Sequence, residues 1–398
     1  MNSQWLTYAW VLLQVIIGYH LVFPLVVLAL YKLKQKNTQR TVSKSEADYA
    51  IIVTAYEQTQ SLPAVVESLL RLKYTNYLIY IVADKCDVSN LHFADERVII
   101  MRPPETLGSN TRSHFYAINR FKRDHERLTI IDSDNLVEPN YLLELNKCFD
   151  SGYEAVQGIR KAKNIDTTFA CLDAARDIYY HFYDGQLLFG AGSSATLAGS
   201  GMAFSTRLYK DCLGQLDITG AGFDKVLQAE IVQRDVRIAF TEEAVVYDEK
   251  TSHSTQLVKQ RARWINTWFR YFGFGFTILF KGIKSLNWNQ FLFGLVLLRP
   301  PLFIFLILSF ICAIADIWIS STMSIVWAVG FGLFAAGFLI ALMRSETDKR
   351  IYSSLVSIPR FMFLQVLSLV KAKKANQLSV ATTHVYVKTM EELKGGIK

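Results

Sequence analysis

The sequence predicts a doubly wound α/β domain set between membrane segments. Three observations lead there. From about residue 48 to residue 132, short β-branched runs alternate with amphipathic stretches, the pattern of βαβ units. The run Leu128-Thr-Ile-Ile-Asp-Ser-Asp-Asn135 reads as a buried strand that ends in two carboxylates one residue apart. Hydrophobic residues make up 51% of the 398, and the mean hydropathy of +0.19 is high for a soluble enzyme.

The first element is the apolar stretch Trp5 to Leu30, long enough to cross a roughly 30 Å hydrocarbon core as a helix. No basic residue precedes it and no small-x-small cleavage site closes it, which argues against a removable signal peptide. Basic residues follow directly, from Lys32 to Arg40. The positive-inside rule then places the N-terminus outside and the rest in the cytoplasm. Residues 1–32 are thus expected to form the first transmembrane helix, and residues 45–265 a cytoplasmic domain.

Within that domain, Tyr49-Ala-Ile-Ile-Val53 reads as a strand, and Leu62 to Leu72 as a helix with Pro63 in its first turn. Leu78-Ile-Tyr-Ile-Val82 is a second strand, ending at Ala83-Asp84-Lys85-Cys86-Asp87, and Val98-Ile-Ile-Met101 is a third. A helix from about Thr111 to Arg123 leads to the strand that closes at Asp132. Strand residues i and i+2 point to one side, so Asp132 and Asp134 can converge on one cation at the carboxyl end of the sheet. A hard divalent ion that holds phosphates suits such a pair; the plainer reading of Asp-Ser-Asp is turn chemistry. No G-x-G-x-x-G follows the first strand and no P-loop motif occurs, which counts against dinucleotide and P-loop chemistry.

Farther on, Gly190-Ala-Gly-Ser-Ser-Ala195 and Gly199-Ser-Gly201 either let backbone approach a ligand or are ordinary turns. Asp224 opens an amphipathic helix, as an N-terminal helix charge or as a group in the cleft. In Gln260-Arg-Ala-Arg-Trp264, helical spacing puts Gln260 on one face with Arg263 and Trp264. A guanidinium beside an indole suits an anion plus a sugar ring, and an interfacial amphipathic helix is the other reading.

Residues 266–298 are aromatic-rich and read as interfacial helices. Two spans follow within 299–345, at about Pro300–Ser320 and Met323–Met343. Ile351 to Val370 is interrupted by Pro359-Arg360, so 346–398 reads as an interfacial helix and a cytoplasmic tail. The count is three spans, or four if this segment also crosses. Five scattered cysteines without CxxC point to a reducing compartment and no structural zinc. The net charge of +8 lies beside apolar segments, which suits an anionic bilayer rather than nucleic acid.

Five landmarks in order carry a family resemblance: Val53-Thr-Ala-Tyr-Glu57, Ala83-Asp84-Lys-Cys-Asp87, Asp132-Ser-Asp134, Gly222-Phe-Asp224 and Gln260-Arg-Ala-Arg-Trp264. The chain resembles glycosyltransferase family 2, in particular membrane-embedded processive members such as cellulose, chitin, hyaluronan and poly-N-acetylglucosamine synthases. That resemblance implies a GT-A fold with a mixed, mainly parallel sheet. It implies inverting hexosyl transfer from a UDP-sugar, with Mg²⁺ or Mn²⁺, onto a β-linked glycan of the cell surface or exterior. Rival expectations are one sugar added to a lipid acceptor, or a silent nucleotide-sugar-binding membrane sensor. If the product crosses the bilayer, three spans make a narrow conduit and a homo-oligomer or export partner is expected.

By the same resemblance Asp224 is the base, and Asp132 and Asp134 hold the metal. Ala55, Glu57, Asp84, Asp132, Gly199, Ser200 and Gly201 bind the nucleotide-sugar, and Gln260, Arg261, Arg263 and Trp264 take acceptor and pyrophosphate. Three departures stand out. Phe223 occupies the place of a glutamate, Asn110 or Arg112 that of a basic residue, and Ala381-Thr-Thr-His384 only loosely resembles the closing W-x-x-T-x-R of polymer-making members.

Overall fold

The computed structural model describes residues 2–34, 46–375 and 388–395. The basic run at residues 35–40 and the segment Ala381-Thr-Thr-His384 lie outside the described residues.

Eight strands form one sheet among the described residues: β1 (Tyr49–Tyr56), β2 (Tyr77–Asp84), β3 (Val98–Met101), β4 (Arg127–Asp132), β5 (Leu136–Val137), β6 (Ala155–Ala162), β7 (Met202–Ser205) and β8 (Ile238–Asp248). Their order is β3-β2-β1-β4-β7-β6-β8-β5. The first four are parallel, β7 runs antiparallel between β4 and β6, β6 and β8 are parallel, and β5 is an antiparallel edge. The sheet is therefore mixed and mainly parallel. Its apolar runs are explained by burial on both faces: alternate residues of β1 enter opposite cores, Ala50 and Ile52 on one side, Tyr49, Ile51 and Val53 on the other. Thr54 pairs with Asp132 and Tyr56 with Asp84, so the carboxyl ends of β1, β2 and β4 align at one edge.

Two expectations are corrected here. The helix expected from Thr111 to Arg123 runs only from Asn110 to Ile118, because Lys122 has left it to donate its backbone N–H to the Tyr80 hydroxyl at 2.9 Å. Its start is capped by Ser109. β4 ends at Asp132, as expected, and Asp134 sits in the turn that follows, so strand alternation is not what turns the two acids to one side. After helix Thr168–Tyr180 the backbone widens into a π-helical stretch, His181–Leu187, a form enriched at functional sites.

Four helices among the described residues are long and apolar enough to cross a membrane: Gln4–Lys34, Leu302–Ile319, Ser321–Arg344 and Lys349–Lys371. Three of them meet at Asp316, whose fully buried carboxylate accepts hydrogen bonds from Trp10 Nε1 (3.0 Å), Gln14 Nε2 (3.3 Å) and Trp327 Nε1 (3.0 Å). The fourth is broken by a 3₁₀ turn at Leu355–Ser357 ahead of Pro359, and its second half packs on the helix Ser254–Tyr271. Helices Gly273–Ser285 and Trp288–Leu298 form a tight pair against the domain. A Cβ on Gly294 would come within 2.6 Å of the Leu279 nitrogen, so glycine is needed for that approach.

Candidate active site

A cavity of about 930 Å³ opens at the carboxyl edge of the sheet. It is lined there by Thr54, Asp132, Asp134, Gly199, Asp224, Lys225, Gln260, Arg261, Arg263 and Trp264, and farther on by Leu302, Phe303, Leu306, Phe334 and Phe338. Its volume is near the upper end of the roughly 300–1,000 Å³ that small-molecule sites span. There is room for two substrates.

The acidic turn is built from Asp132 outward. The Asp132 N–H donates to Ser200 Oγ (3.1 Å), the Ser200 hydroxyl donates to Asn135 Oδ1 (2.6 Å), and Asn135 Nδ2 donates to Asp134 Oδ1 (3.1 Å). Lys163 Nζ donates to the Asp134 carbonyl at 2.9 Å; burial lowers the Lys163 pKa and the nearby Asp134 charge works against that shift. Two carboxylates thus face one cavity, and no cluster of three metal-ligating side chains accompanies them among the described residues. A pair of oxygen donors without a closed cage fits an ion such as Mg²⁺, which keeps waters and substrate phosphates in its shell.

The second acidic feature is the turn before helix Phe223–Gln233. Gly222 has φ +105°, and a Cβ there would meet Thr267 Cγ2 at 2.5 Å, so the turn presses directly on helix Ser254–Tyr271. Asp224 lies in the first helical turn, where the helix dipole favours an anion, and Lys225 Nζ is 3.0 Å from its Oδ2. Phe223 is buried with its ring 5.0 Å from that of His114. Burial pushes the His114 pKa down to about 3, and its Nδ1 is 2.7 Å from the Tyr209 hydroxyl.

On the Ser254–Tyr271 helix, Gln260 Oε1 accepts from Thr251 Oγ1 at 2.9 Å. Arg261 is buried and ion-paired with Asp173. Its guanidinium carbon lies 4.1 Å from the Trp264 ring centroid, and that of Arg176 lies at 4.4 Å. The indole is therefore not the bare plane that a stacked sugar would need: two cations already lie over it. Arg263 is partly buried, and that burial lowers its pKa.

Several expected contacts take other positions. Ala55 points into the second core, because strand alternation sends Thr54 and Tyr56 to the cavity instead. Glu57, with φ 60°, pairs with Lys85 at 2.7 Å. The buried Asp84 carboxylate accepts the N–H groups of Leu107 (2.9 Å) and Gly108 (2.8 Å), holding the loop before helix Asn110–Ile118. Neither residue lines the cavity. Of Gly199-Ser-Gly201 only Gly199 lines it: Ser200 pins the acidic turn, and the Gly201 N–H donates to the Ile130 carbonyl at 3.0 Å. Arg112 is paired with Asp217 at 2.6 Å, whereas Asn110 lines the cavity.

The sequence reading missed Gln157, Arg160, Gln228, Asp248 and Lys250, all of which line the cavity. Gln157 Oε1 accepts the Ala198 N–H and Gln228 Oε1 the Leu197 N–H, each at 2.9 Å. Arg160 pairs with Asp248, which Lys250 also contacts at 2.6 Å. The available signal was polar residues within the apolar run Ala155-Val-Gln-Gly-Ile-Arg160, since a buried polar side chain needs a partner.

Residues 47–267 match the family described as Glycosyltransferase like family 2. The chain belongs to that family. Among solved structures, the transferase is similar to the mannosyltransferase PcManGT from Pyrobaculum calidifontis, solved in complex with GDP-Man and Mn²⁺. The two are 13% identical, with a TM-score of 0.55 over 91% of this chain and 98% of that one. S. aureus TarS 1–349, solved in complex with UDP-GlcNAc, is also 13% identical, with a TM-score of 0.43 over 82% of this chain and 90% of that one. No curated protein matches the chain. At such identity the first likeness shows the fold, which is of the GT-A type.

Proposed function

We propose that this transferase moves a sugar from a UDP-sugar, with inversion at the anomeric carbon, to a hydroxyl of a lipid-borne acceptor. One observation carries the choice of acceptor. The cavity that holds Asp132, Asp134 and Asp224 continues between Phe303, Leu306, Phe334 and Phe338, on helices apolar enough to cross a membrane. That end is lined by hydrocarbon and suits an acyl or isoprenoid chain. It would bring the acceptor head to Asp224 from the membrane side, with the catalytic domain in the cytoplasm.

Asp132 and Asp134 would hold Mg²⁺ or Mn²⁺, which when bound offsets the charge of the diphosphate and of the departing nucleotide. Arg263 pairs with pyrophosphate, and Gly199, with no side chain, lets backbone approach the donor sugar. Asp224 accepts the proton of the acceptor hydroxyl as that oxygen attacks the anomeric carbon. The bond from that carbon to the diphosphate breaks and UDP leaves. A second reading, extension of a β-linked glycan, is favoured by the aromatic side chains Trp268 and Tyr271 along the same cavity.

The test is full-length protein purified in detergent, offered UDP- and GDP-sugars with Mg²⁺ or Mn²⁺ and lipid extracts, with product mass as the readout. A lipid heavier by one sugar supports the proposal. A ladder of glycan masses supports the second reading. No nucleotide release from any donor sinks both and leaves a binding protein.

A further inference from the structure

We propose that Lys225 is a positioning residue that holds the Asp224 carboxylate and the loop 196–199 in one fixed arrangement. This rests on the reading of Asp224 as the base. Lys225 Nζ lies 3.0 Å from Asp224 Oδ2 and donates to the Leu197 carbonyl at 2.9 Å. Neighbouring residues on a helix do not face one another, so the Lys225 side chain reaches its partner only by folding back across the first turn. The Leu197 carbonyl is the second acceptor that keeps it there.

The same helix holds the other side of that residue: Gln228, three positions on, accepts the Leu197 N–H at 2.9 Å. Both peptide groups of Leu197 are therefore fixed by the helix that carries Asp224. The loop leads to Gly199, which lines the cavity with φ +88° and has nothing within 4 Å of where a Cβ would stand. Lys225 is the group that joins base and donor loop, touching the Asp224 carboxylate and the loop at once, while Gln228 holds the loop alone. Asp224 follows a buried phenylalanine, Phe223, and the charged group beside its carboxylate is the Lys225 ammonium at 3.0 Å.

The experiment compares wild type, Lys225→Met, Lys225→Arg, Asp224→Asn and the Asp224→Asn/Lys225→Met pair, full length and in detergent, with the sugar nucleotide that turns over in the donor screen. Lys225→Met is expected to lower kcat about tenfold to a hundredfold, the size of a lost charge-assisted hydrogen bond, with a smaller rise in donor KM from the loosened loop. Lys225→Arg, which keeps the charge, recovers most of that loss. In the Asp224→Asn background Lys225→Met should cost less than in wild type, since only its hold on the Leu197 carbonyl is left to lose. Hydrogen exchange at the Leu197 and Ala198 amides should speed up in Lys225→Met and not in Lys225→Arg. Wild-type kcat in Lys225→Met, an undiminished loss in the double variant, or unchanged exchange overturns the inference alone. Wild-type turnover by Asp224→Asn overturns the base assignment and this inference with it.

Discussion

Replacing Ser200 by alanine separates two roles for the turn that joins the glycines to β7. If Ser200 lines the donor sugar, the change raises donor KM and leaves the fold alone. The geometry predicts otherwise. Ser200 is fully buried, and its hydroxyl oxygen accepts the Asp132 N–H (3.1 Å) while its hydrogen goes to Asn135 Oδ1 (2.6 Å). Alanine removes one atom, and with it one hydrogen-bond partner of the part-buried Asp132 amide and one of the buried Asn135 amide oxygen. A buried orphan costs about 1–3 kcal/mol and the part-buried Asp132 amide less, so the pair should cost about 2–4 kcal/mol. At roughly 2–4 °C per kcal/mol for a domain of this size, Tm should fall by about 4–16 °C. The loosened turn carries both proposed metal ligands. Every ~1.4 kcal/mol is tenfold in affinity, so Mn²⁺ binding should weaken about tenfold or more. Thermal unfolding and calorimetric Mn²⁺ titration of the detergent-purified protein measure the two effects. An unshifted Tm with an unchanged Mn²⁺ isotherm would refute the reasoning.

Asp134→Ala should make nucleotide-sugar binding indifferent to added Mn²⁺; a variant that still responds to metal and chelator as wild type does would reject the metal pair. If Trp264 places the acceptor despite the two guanidinium groups over its ring, Trp264→Ala should spare hydrolysis of the donor by water and impair transfer; equal losses in both reactions count against this. His114 supplies a pH test. Burial holds its pKa near 3, so the unfolded chain binds a proton below about pH 6.5 that the folded protein refuses. Its contribution to stability is present at neutral pH and is lost as pH falls from 6.5 towards 3, about 2 kcal/mol of it between pH 7 and pH 5. His114→Gln should flatten the fall in Tm over that range. Parallel curves for the two proteins would show that another group is responsible.

Much of the α/β half was legible because its signals are local. Tyr49–Val53, Leu78–Val82 and Val98–Met101 are β-branched or aromatic runs of strand length, and each forms part or all of a strand. The apolar stretches near the N-terminus and after Arg299 are helices of spanning length, because hydrocarbon thickness sets a length that can be counted. β5 and β7, two and four residues long, left no such signal: they are strands only because β8, β4 and β6 supply their partners.

The polar residues divide along the same line. Chain order by itself determined the landmarks: an acidic pair after β4, an aspartate opening a helix, and the Gln260-Arg-Ala-Arg-Trp264 face. Only the tertiary structure decided which polar groups face the cavity and which hold loops in place. Asp84 is occupied by the amides of Leu107 and Gly108, Ser200 by Asp132 and Asn135, and the Trp264 indole by Arg176 and Arg261. A buried hydrogen-bonding or charged group must find a partner, and in folded chains most of those partners come from elsewhere in the sequence. No local pattern can record them.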